Sequence, residues 1–337
     1  MTTRRVLLAH TGGTIGMKRG ERGYEPLAGH LARLLAAMPE LSSPGIPAME
    51  LLEFEPLLDS SDMVPADWLR MARTIESHYD DFDGFVVLHG TDTLAYTSSA
   101  LSFLLEGLRK PVVVTGSQVP LAELRSDARE NLLNALLLAA REDLHEVCVC
   151  FGGRLMRGNR VTKVSSSGFD GFESPNELEL AHLGVDIEMR PGALREPQAG
   201  ALAVHDLLDV TVAAIRLFPG INALFLENVL RDPVRGLVLE TYGAGNAPSR
   251  DAALLALLRE ATARGVVVVN ITQCLRGRVD MDGYATGSAL KSAGVVSGLD
   301  MTPEAALAKL IWLLGKGLDA GEVRCLVPRN LRGELTA

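Results

Sequence analysis

The sequence predicts two α/β domains: a larger N-terminal domain with a doubly wound, mainly parallel sheet and a smaller C-terminal α/β domain. Three observations lead to this fold class. The chain has 337 residues, of which 47% are hydrophobic, and this is enough for two separate cores. Short continuous runs of Val and Leu alternate with helical patterns, which is typical of strands buried on both faces. A segment rich in Pro and Gly then interrupts the alternation.

The first half of the chain alternates between predicted strands and predicted helices. Its apolar runs predict strands at residues 5–9, 85–88, 112–115 and 147–151. Its helical patterns predict helices at residues 27–38, 66–78, 98–108 and 126–140. We therefore expect an N-terminal α/β domain that spans residues 1–189.

A second α/β series follows the segment rich in Pro and Gly. That segment contains Pro191, Gly192, Pro197 and Gly200, and residues 190–211 are predicted to form a linker. The elements predicted beyond it are strands at 236–240 and 266–271, a helix at 249–264 closed by Gly265, and a helix with Thr302 as N-cap and Pro303 at its first position. Residues 212–337 are therefore expected to form the C-terminal domain.

The composition excludes several classes of protein. The net charge of −9 disfavours a nucleic-acid surface, which draws on clustered Lys and Arg. No apolar run approaches the ~20 residues of a membrane span, and the first apolar run is too short for a secretory signal. The four cysteines lack the spacing of a disulfide framework or a zinc site. We expect a cytoplasmic protein with a small-molecule substrate, no nucleic-acid partner and no membrane contact.

Two short segments place a threonine hydroxyl beside glycines directly after a predicted strand. Residues 11–16 are Thr-Gly-Gly-Thr-Ile-Gly, and residues 89–93 are His-Gly-Thr-Asp-Thr. Because the carboxyl ends of parallel strands meet at one edge of a sheet, both segments are expected where open α/β folds bind ligands. A hydroxyl beside glycines suits a nucleophile and the amide donors that stabilise an anion. Thr14 is the candidate nucleophile, and the alternative for it is a helix N-cap.

Four motifs spread over the chain match a known family. They are residues 11–16, residues 89–94 (His-Gly-Thr-Asp-Thr-Leu), residues 161–163 (Val-Thr-Lys) and residues 242–246 (Tyr-Gly-Ala-Gly-Asn). The chain resembles the asparaginase/glutaminase family, in particular its bacterial type I, cytoplasmic L-asparaginases. The resemblance implies an amidohydrolase that converts L-asparagine to L-aspartate and ammonia through a threonine acyl-enzyme intermediate, without cofactor or metal. It also implies a homo-oligomer, either a dimer or a dimer of dimers.

The resemblance assigns five catalytic residues. Thr14 matches the threonine that forms the acyl-enzyme. Thr91, Asp92 and Lys163 match a second group, in which the lysine activates the Thr91 hydroxyl directly or through water. Nothing in the sequence alone brings Lys163 to Thr91, and a lone lysine is usually a solvated surface charge. Tyr24 matches a lid tyrosine, and the alternative for it is an exposed loop aromatic without a role.

The resemblance also assigns contacts to the substrate. The hydroxyl of Ser60 and mainly the backbone of Ser61 match the part that holds the α-carboxylate, although a turn and helix cap fit the same segment. Asn246 matches a residue that reaches the substrate's α-ammonium group in the neighbouring protomer, while an Asn in a tight glycine turn is its alternative. The predicted substrate-binding residues are Gly13, Asp59, Ser60, Ser61, Gly90, Thr91, Asp92, Ser117 and Asn246.

Backbone groups complete the expected site. N–H groups around Gly13 and Thr91 are the expected oxyanion donors, and the carbonyl of Ser117 is expected at the scissile amide nitrogen. His89 is interpreted as a structural residue at a strand end. Arg125, Asp127 and Arg129 are expected to form a solvated or interface ion-pair network near a helix start.

A second, regulatory site is implied more weakly. Thr162 and Cys274 match positions that line an effector site for a second asparagine in some type I relatives. Glu240 stands where a carboxylate-binding Arg is expected in those relatives, and its opposite charge disfavours such binding. Weak or absent cooperativity is therefore expected.

Other functions remain as alternatives. A nucleotide-dependent protein is disfavoured, because neither a Gly-x-Gly-x-x-Gly pattern nor a Walker A pattern is present. An amidase subunit of a glutamyl-tRNA amidotransferase shares the fold, but an acidic chain that begins at its first strand disfavours it. A non-enzymatic amino-acid sensor is disfavoured by the intact threonine motifs. An asparaginase with substantial glutaminase activity stays open, because one methylene changes binding by only ~1–3 kcal/mol.

Overall fold

The computed structural model describes residues 4–21, 23–283 and 285–336. The chain divides into two compact units, of which the first ends at Val204 and the second begins at His205. Each unit contains its own sheet and helices, so the predicted fold class of two α/β domains is confirmed. The proposed linker at residues 190–211 stays a prediction. Within the described residues, no helix has both the length and the apolar character needed to cross a membrane.

Twelve strands and four α-helices are described in the first unit. The strands are β1 (Arg5–Gly12), β2 (Met17–Gly20), β3 (Gly23–Pro26), β4 (Ala48–Leu58), β5 (Gly84–Leu88), β6 (Val112–Thr115), β7 (Val147–Phe151), β8 (Arg154–Arg157), β9 (Thr162–Lys163), β10 (Phe172–Glu173), β11 (Ala181–Leu183) and β12 (Ile187–Met189). The helices are α1 (His30–Ala36), α2 (Pro65–Ser77), α3 (Leu94–Leu104) and α4 (Ala128–Ala139).

Four strands and five helices are described in the second unit. The strands are β13 (Thr211–Arg216), β14 (Val234–Thr241), β15 (Val267–Thr272) and β16 (Val296–Ser297). The helices are α5 (Ala223–Val229), α6 (Ala252–Ala263), α7 (Ala285–Ser292), α8 (Pro303–Gly315) and α9 (Ala320–Leu326).

The first unit is built on an eight-stranded sheet with the order β12-β11-β8-β7-β6-β5-β1-β4. Strands β4, β1, β5, β6 and β7 pair in parallel, whereas β8, β11 and β12 are joined through antiparallel pairings. The carboxyl ends of the five parallel strands therefore lie along one edge of the sheet. That edge is where the sequence predicts the site.

Both faces of this sheet are covered by helices. Successive side chains of a strand point to opposite faces. On one face, Val6 and Leu8 of β1 belong to a core cluster with Leu31 of α1 and Leu132 of α4. Leu7 is equally buried but lies outside that cluster, and α3 packs against β6 and β7 and beside α2. The sheet is therefore doubly wound, as the continuous apolar runs predict.

Strands β4 and β8 are not among the strands that the sequence predicts. Strand β4 lies at the sheet edge and contains Glu50, Glu53 and Glu55, charges that an edge strand tolerates but that hide its apolar pattern. Strand β8 forms a hairpin with β7 through Gly152 and Gly153, which have φ angles of 57° and 72°. A Gly-Gly pair between two apolar runs is a hairpin signal, so β8 was open to prediction.

Helix α3 begins earlier than predicted. It starts at Leu94, immediately after the Thr-Asp-Thr segment, whereas the pattern predicts a start at residue 98. All residues of α3 except the half-buried Tyr96 are buried, including Thr97 and Ser98. A helix with almost no solvent face has no clear amphipathic period to reveal its start.

The second unit contains a four-stranded parallel sheet with the order β13-β14-β15-β16. Helix α6 begins after Asp251, whose carboxylate accepts hydrogen bonds from two backbone amides of the first turn. The predicted start of α8 is confirmed, because Thr302 Oγ1 accepts a hydrogen bond from the amide of Ala305 and Pro303 is the first helical residue.

Candidate active site

Four neighbouring parallel strands carry the predicted site residues at their carboxyl ends. In sheet order, β6 leads to Ser117, β5 to Thr91, β1 to Thr14 and β4 to Ser60. The central residues of β1, β5 and β6 are buried in the core, whereas the edge strand β4 buries only Phe54. The two threonine segments therefore lie on adjacent strands, as the sequence predicts.

Glycines allow these strand ends to touch. A Cβ atom on Gly13 would lie 2.3 Å from the Gly90 nitrogen, and a Cβ atom on Gly90 would lie 2.4 Å from Ser60 Oγ. Gly13 also has a φ angle of 88°, which residues with a side chain rarely adopt. The segments that carry Thr14, Ser60 and Thr91 are thus packed against one another. Any side chain at either glycine would push them apart.

Lys163 joins Thr91 and Asp92. Its Nζ atom donates one hydrogen bond to Thr91 Oγ1 at 2.9 Å and another to Asp92 Oδ1 at 2.7 Å. Thr91 is buried, the Lys163 side chain is 20% exposed, and the Asp92 side chain is 65% exposed. The short strand β9, paired with β10, carries the lysine to this position. The structure therefore brings together a group that sequence spacing alone does not predict.

Gln118 connects this group to a neighbouring loop, and the sequence analysis did not assign it to the site. Its Oε1 atom accepts a long hydrogen bond, 3.4 Å, from Thr91 Oγ1. Its Nε2 atom donates to the carbonyls of Ser165 at 3.3 Å and Gly168 at 3.0 Å. Gln118 thereby ties the loop after β6 to the segment that follows Lys163. Its position directly after Ser117 was the available signal.

Asp127 holds the same loop by accepting hydrogen bonds from its backbone amides. The prediction that Asp127 belongs to an ion-pair network is wrong. Its carboxylate accepts hydrogen bonds of 3.0–3.1 Å from the amides of Gln118 and Val119. A carboxylate that is used by backbone N–H groups has little left to offer Arg125 or Arg129. We conclude that Asp127 fixes the backbone of the β6 loop.

The segment after β4 combines a cap with a buried hydroxyl. Asp59 Oδ1 accepts hydrogen bonds of 2.9 Å from both the amide and the hydroxyl of Ser61 and caps a 3-10 turn, so the alternative of a turn is confirmed, whereas the N-cap of α2 is Val64. Ser60 is 3% exposed, and its carbonyl accepts a hydrogen bond from Thr93 Oγ1 at 2.7 Å. The binding role of Asp59, Ser60 and Ser61 stays a prediction.

Thr14 begins a short 3-10 turn that ends at Gly16. Gly13, and not Thr14, occupies the N-cap position, so the alternative of a capping threonine is wrong. The Thr14 side chain is partly exposed at the sheet edge. Tyr24 lies on the hairpin formed by β2 and β3, is 43% exposed, and donates a hydrogen bond from its hydroxyl to Glu123 Oε1 at 3.2 Å.

His89 is fully buried and engaged on both ring nitrogens. Nδ1 lies 2.7 Å from the carbonyl of Gly90, and Nε2 lies 2.8 Å from Thr97 Oγ1. Burial lowers the pKa of His89 to about 4, despite the opposing hydrogen bond to Gly90. The ring is neutral at pH 7, and its contacts support the structural interpretation.

Comparison with known proteins identifies the family. The model "Asparaginase, N-terminal" matches residues 5–194, and the model "Glutaminase/Asparaginase C-terminal domain" matches residues 211–326. The chain belongs to the asparaginase family. It is 53% identical to L-asparaginase 1 of Escherichia coli strain K12, over 100% of this chain and 99% of that protein.

Solved structures of asparaginases share the fold over the whole chain. L-asparaginase I from Vibrio cholerae matches with a TM-score of 0.93 and 48% identity, covering 100% of both chains. The thermostable L-asparaginase from Thermococcus kodakarensis matches with a TM-score of 0.89 and 38% identity, covering 99% of both chains.

Three of the residues assigned from the asparaginase family, Asn246, Glu240 and Cys274, lie in the second unit. Asn246 lies in a tight turn, in which its backbone N–H donates a hydrogen bond to the Tyr242 carbonyl at 2.8 Å. Its side-chain Oδ1 atom accepts a hydrogen bond from the Thr286 hydroxyl. Glu240 is half-buried near the end of β14, and burial raises its pKa. Cys274 is exposed, while Thr162 is buried in the first unit. Their roles in substrate or effector binding stay predictions.

Ser117 is the remaining predicted contact of the first unit. It is completely buried, and its hydroxyl has no hydrogen-bond partner among the described residues. The neighbouring carbonyl of Gly116 accepts a hydrogen bond from Asn131 at 3.0 Å. This contact fixes the backbone next to Ser117, whose carbonyl carries the predicted role.

No cluster of three or more His, Cys, Asp or Glu side chains suited to a metal ion occurs in the described ranges.

Proposed function

We propose that the protein hydrolyses the side-chain amide of L-asparagine to L-aspartate and ammonia. The observation that carries this proposal is the bridge from Lys163 Nζ to Thr91 Oγ1 and Asp92 Oδ1, beside the strand end that bears Thr14. Full-length similarity to proteins named L-asparaginase supports the same substrate.

In the proposed mechanism Thr14 is the nucleophile. Its hydroxyl oxygen attacks the amide carbon, and its proton passes through the site to the leaving nitrogen. The C–N bond breaks, ammonia departs, and an aspartyl ester remains on Thr14. Backbone N–H groups near Gly13 and Thr91 stabilise the negative oxygen that develops on the carbonyl. Water then hydrolyses the ester, which releases L-aspartate and restores the Thr14 hydroxyl.

Thr91 and Lys163 supply the proton transfers. When Lys163 acts as the base, its Nζ atom keeps the hydrogen bond to Asp92 and exchanges its donor bond to Thr91 for an acceptor role. Thr91 then accepts a proton from the attacking group, either Thr14 or the water of the second step, as its own proton moves to the lysine. Tyr24, on its hairpin, covers and orients Thr14 in this proposal.

The amino-acid end of the substrate is held by neutral hydrogen-bond donors on one side and by a carboxylate on the other. Ser60 and Ser61 receive the α-carboxylate, and Asp92 receives the α-ammonium group through its exposed carboxylate. Asn246 of a neighbouring protomer completes the pocket, so the working unit is at least a homodimer. The Ser117 carbonyl accepts a hydrogen bond from the scissile amide nitrogen.

The setting proposed for this reaction is the cytoplasm. All four cysteines are free thiols, which suits a reducing compartment. The proposed reaction involves acid–base and nucleophilic groups of the protein, without a metal or cofactor.

Ammonia release tests the proposal. Purified protein, dialysed against EDTA, is assayed with L-asparagine and with L-glutamine from micromolar to millimolar concentration. We expect rapid hydrolysis of asparagine without added metal and much slower hydrolysis of glutamine. Activity on asparagine that appears only after metal is restored, or no activity on asparagine at all, contradicts the proposal.

A further inference from the structure

A buried histidine and a glutamate lie at the base of the hairpin that carries Tyr24. His10 of β1 and Glu53 of β4 are register partners across the two parallel strands. His10 Nδ1 lies 3.2 Å from Glu53 Oε1. The hairpin begins directly after Gly16, and the loop that follows it ends at Gly29. Both glycines contact this histidine–glutamate pair.

The first end of the hairpin rests on the His10 ring. A Cβ atom on Gly16 would lie 2.7 Å from both Cε1 and Nε2 of His10, so the glycine backbone passes close to the imidazole. Gly16 closes the turn that begins at Thr14 and immediately precedes β2. A shift of the ring would therefore move the nucleophile turn and the hairpin together.

The second end of the hairpin is held by Glu53. The amide of Gly29 donates a hydrogen bond to Glu53 Oε2 at 2.9 Å. Gly29 has a φ angle of 67° and is the N-cap of α1, so this bond fixes the point where the chain enters the helix. The two oxygens of one carboxylate thus serve His10 and Gly29.

The protonation state of His10 decides which of its ring nitrogens donates a hydrogen bond. His10 is 1% exposed and lies at a core-facing position of β1, in step with Val6 and Leu8. Burial lowers its pKa, an effect larger than the opposing influence of Glu53, so the ring is neutral at pH 7. A carboxylate only accepts hydrogen bonds, and the single ring proton therefore lies on Nδ1. Nε2 has no partner among the described residues.

We propose that His10 and Glu53 are positioning residues that anchor both ends of the hairpin and thereby set the position of Tyr24 relative to Thr14. This inference rests on the proposed function, in which Tyr24 orients Thr14. Neither residue touches the substrate. They act through the backbone of Gly16 and Gly29.

Glu53→Gln tests the anchor with little change of shape. Glutamine has an acceptor oxygen in place of one carboxylate oxygen and an NH2 group that only donates in place of the other, so it cannot accept from both His10 Nδ1 and the Gly29 amide. If His10 adopts its other tautomer to accept from the glutamine, its proton moves to Nε2, where the described residues provide no acceptor. The first outcome breaks the hydrogen bond to His10 or to Gly29, and the second buries an N–H group without an acceptor next to Gly16, so either one disturbs an end of the hairpin. Glu50→Gln is the matched control, because Glu50 is a surface carboxylate on the same strand that pairs with Arg5.

Two measurements are combined. Hydrogen–deuterium exchange followed by mass spectrometry reports on peptides that cover residues 13–29. The kinetic constants for asparagine are measured for Glu53→Gln alone and for Glu53→Gln combined with Tyr24→Phe. His10→Gln serves as a second variant if Glu53→Gln does not fold.

Glu53→Gln is expected to speed amide exchange in the hairpin. It is also expected to lower kcat/KM by about tenfold, because a displaced Tyr24 stabilises the transition state less well. In the Tyr24→Phe background the same substitution is expected to lower kcat/KM by less than about twofold, because the group through which it acts is absent. Glu50→Gln is expected to change neither readout.

Wild-type exchange in the hairpin of a folded Glu53→Gln protein overturns the inference. An equal loss of kcat/KM with and without the Tyr24 hydroxyl overturns it as well. If the wild-type protein does not hydrolyse asparagine, the proposed function fails, while the exchange measurement still decides whether the pair anchors the hairpin.

Discussion

The proposed catalytic threonines could be predicted from their neighbours in the sequence, whereas Lys163 could not. The hydroxyls of Thr14 and Thr91 were predictable, because each follows a buried strand and stands beside glycines. Lys163 was not predictable from spacing, since 72 positions separate it from Thr91 and no periodic element connects them. Family resemblance supplied this contact, and the structure places the two side chains within hydrogen-bond distance.

Replacing Lys163 tests its role at the residue scale. Lys163→Met keeps the length of the side chain but removes the amine, and we expect kcat for asparagine to fall by about 10²–10⁴-fold. Lys291→Met is the control, because Lys291 forms an exposed pair with Asp282 that resembles the pair with Asp92 only in charge. Steady-state kinetics of both variants decide the matter. A Lys163→Met protein with wild-type kcat removes Lys163 from the mechanism.

His89 gives a prediction on pH dependence. Its pKa is about 4 in the folded protein and near 6.5 when the chain is unfolded, so only the unfolded state binds a proton between these values. Protonation of His89 in the unfolded state therefore leaves the free energy of unfolding unchanged above pH 6.5 and lowers it by roughly 3 kcal/mol as the pH drops to 4. NMR titration of labelled histidine should find the His89 ring neutral at pH 5.5. A midpoint near 6.5 for this ring contradicts the burial argument.

At the scale of elements, the sequence predicted buried parallel strands well and edge elements poorly. Strands β5, β6 and β7 are continuous apolar runs and lie where they were expected. Strand β4 was missed, because its glutamates, including the Glu53 that holds the hairpin, break the apolar pattern. The loop after β6 was misjudged for a related reason. Asp127 stands in a charged segment that is typical of a solvated surface. Only the folded loop brings its carboxylate within hydrogen-bond distance of two backbone amides.

The loop after β6 provides a prediction at this scale. Asp127→Asn leaves one acceptor oxygen for the amides of Gln118 and Val119, which weakens both charge-assisted hydrogen bonds. We expect faster amide exchange in residues 116–121 and a kcat lower by about tenfold, since Gln118 contacts Thr91. Asp143→Asn, at an exposed pair with Arg141, is the control. Unchanged exchange in the loop of Asp127→Asn rules out this positioning role.

At the scale of the whole molecule, the proposed chemistry divides unevenly between the two compact units. The five proposed catalytic residues lie in the first unit, and Asn246, Glu240 and Cys274 lie in the second. The family match extends through both units, which supports a role for the second unit in the complete enzyme. The sequence predicted the fold class of each unit, because strand and helix patterns are local. The proposed contact of Asn246 with a neighbouring pocket could not be derived from the sequence, because contacts between chains leave no local pattern.

The central claim is that Thr14, at the end of β1, takes the aspartyl group from asparagine. The most direct measurement mixes the protein rapidly with L-asparagine, stops the reaction with acid, and locates the added mass by peptide mapping. The account predicts an aspartyl ester on the peptide that contains Thr14 and its loss in Thr14→Ala. An ester on Thr91, or on any other residue, contradicts the account. So does the absence of any ester while a burst of ammonia is observed.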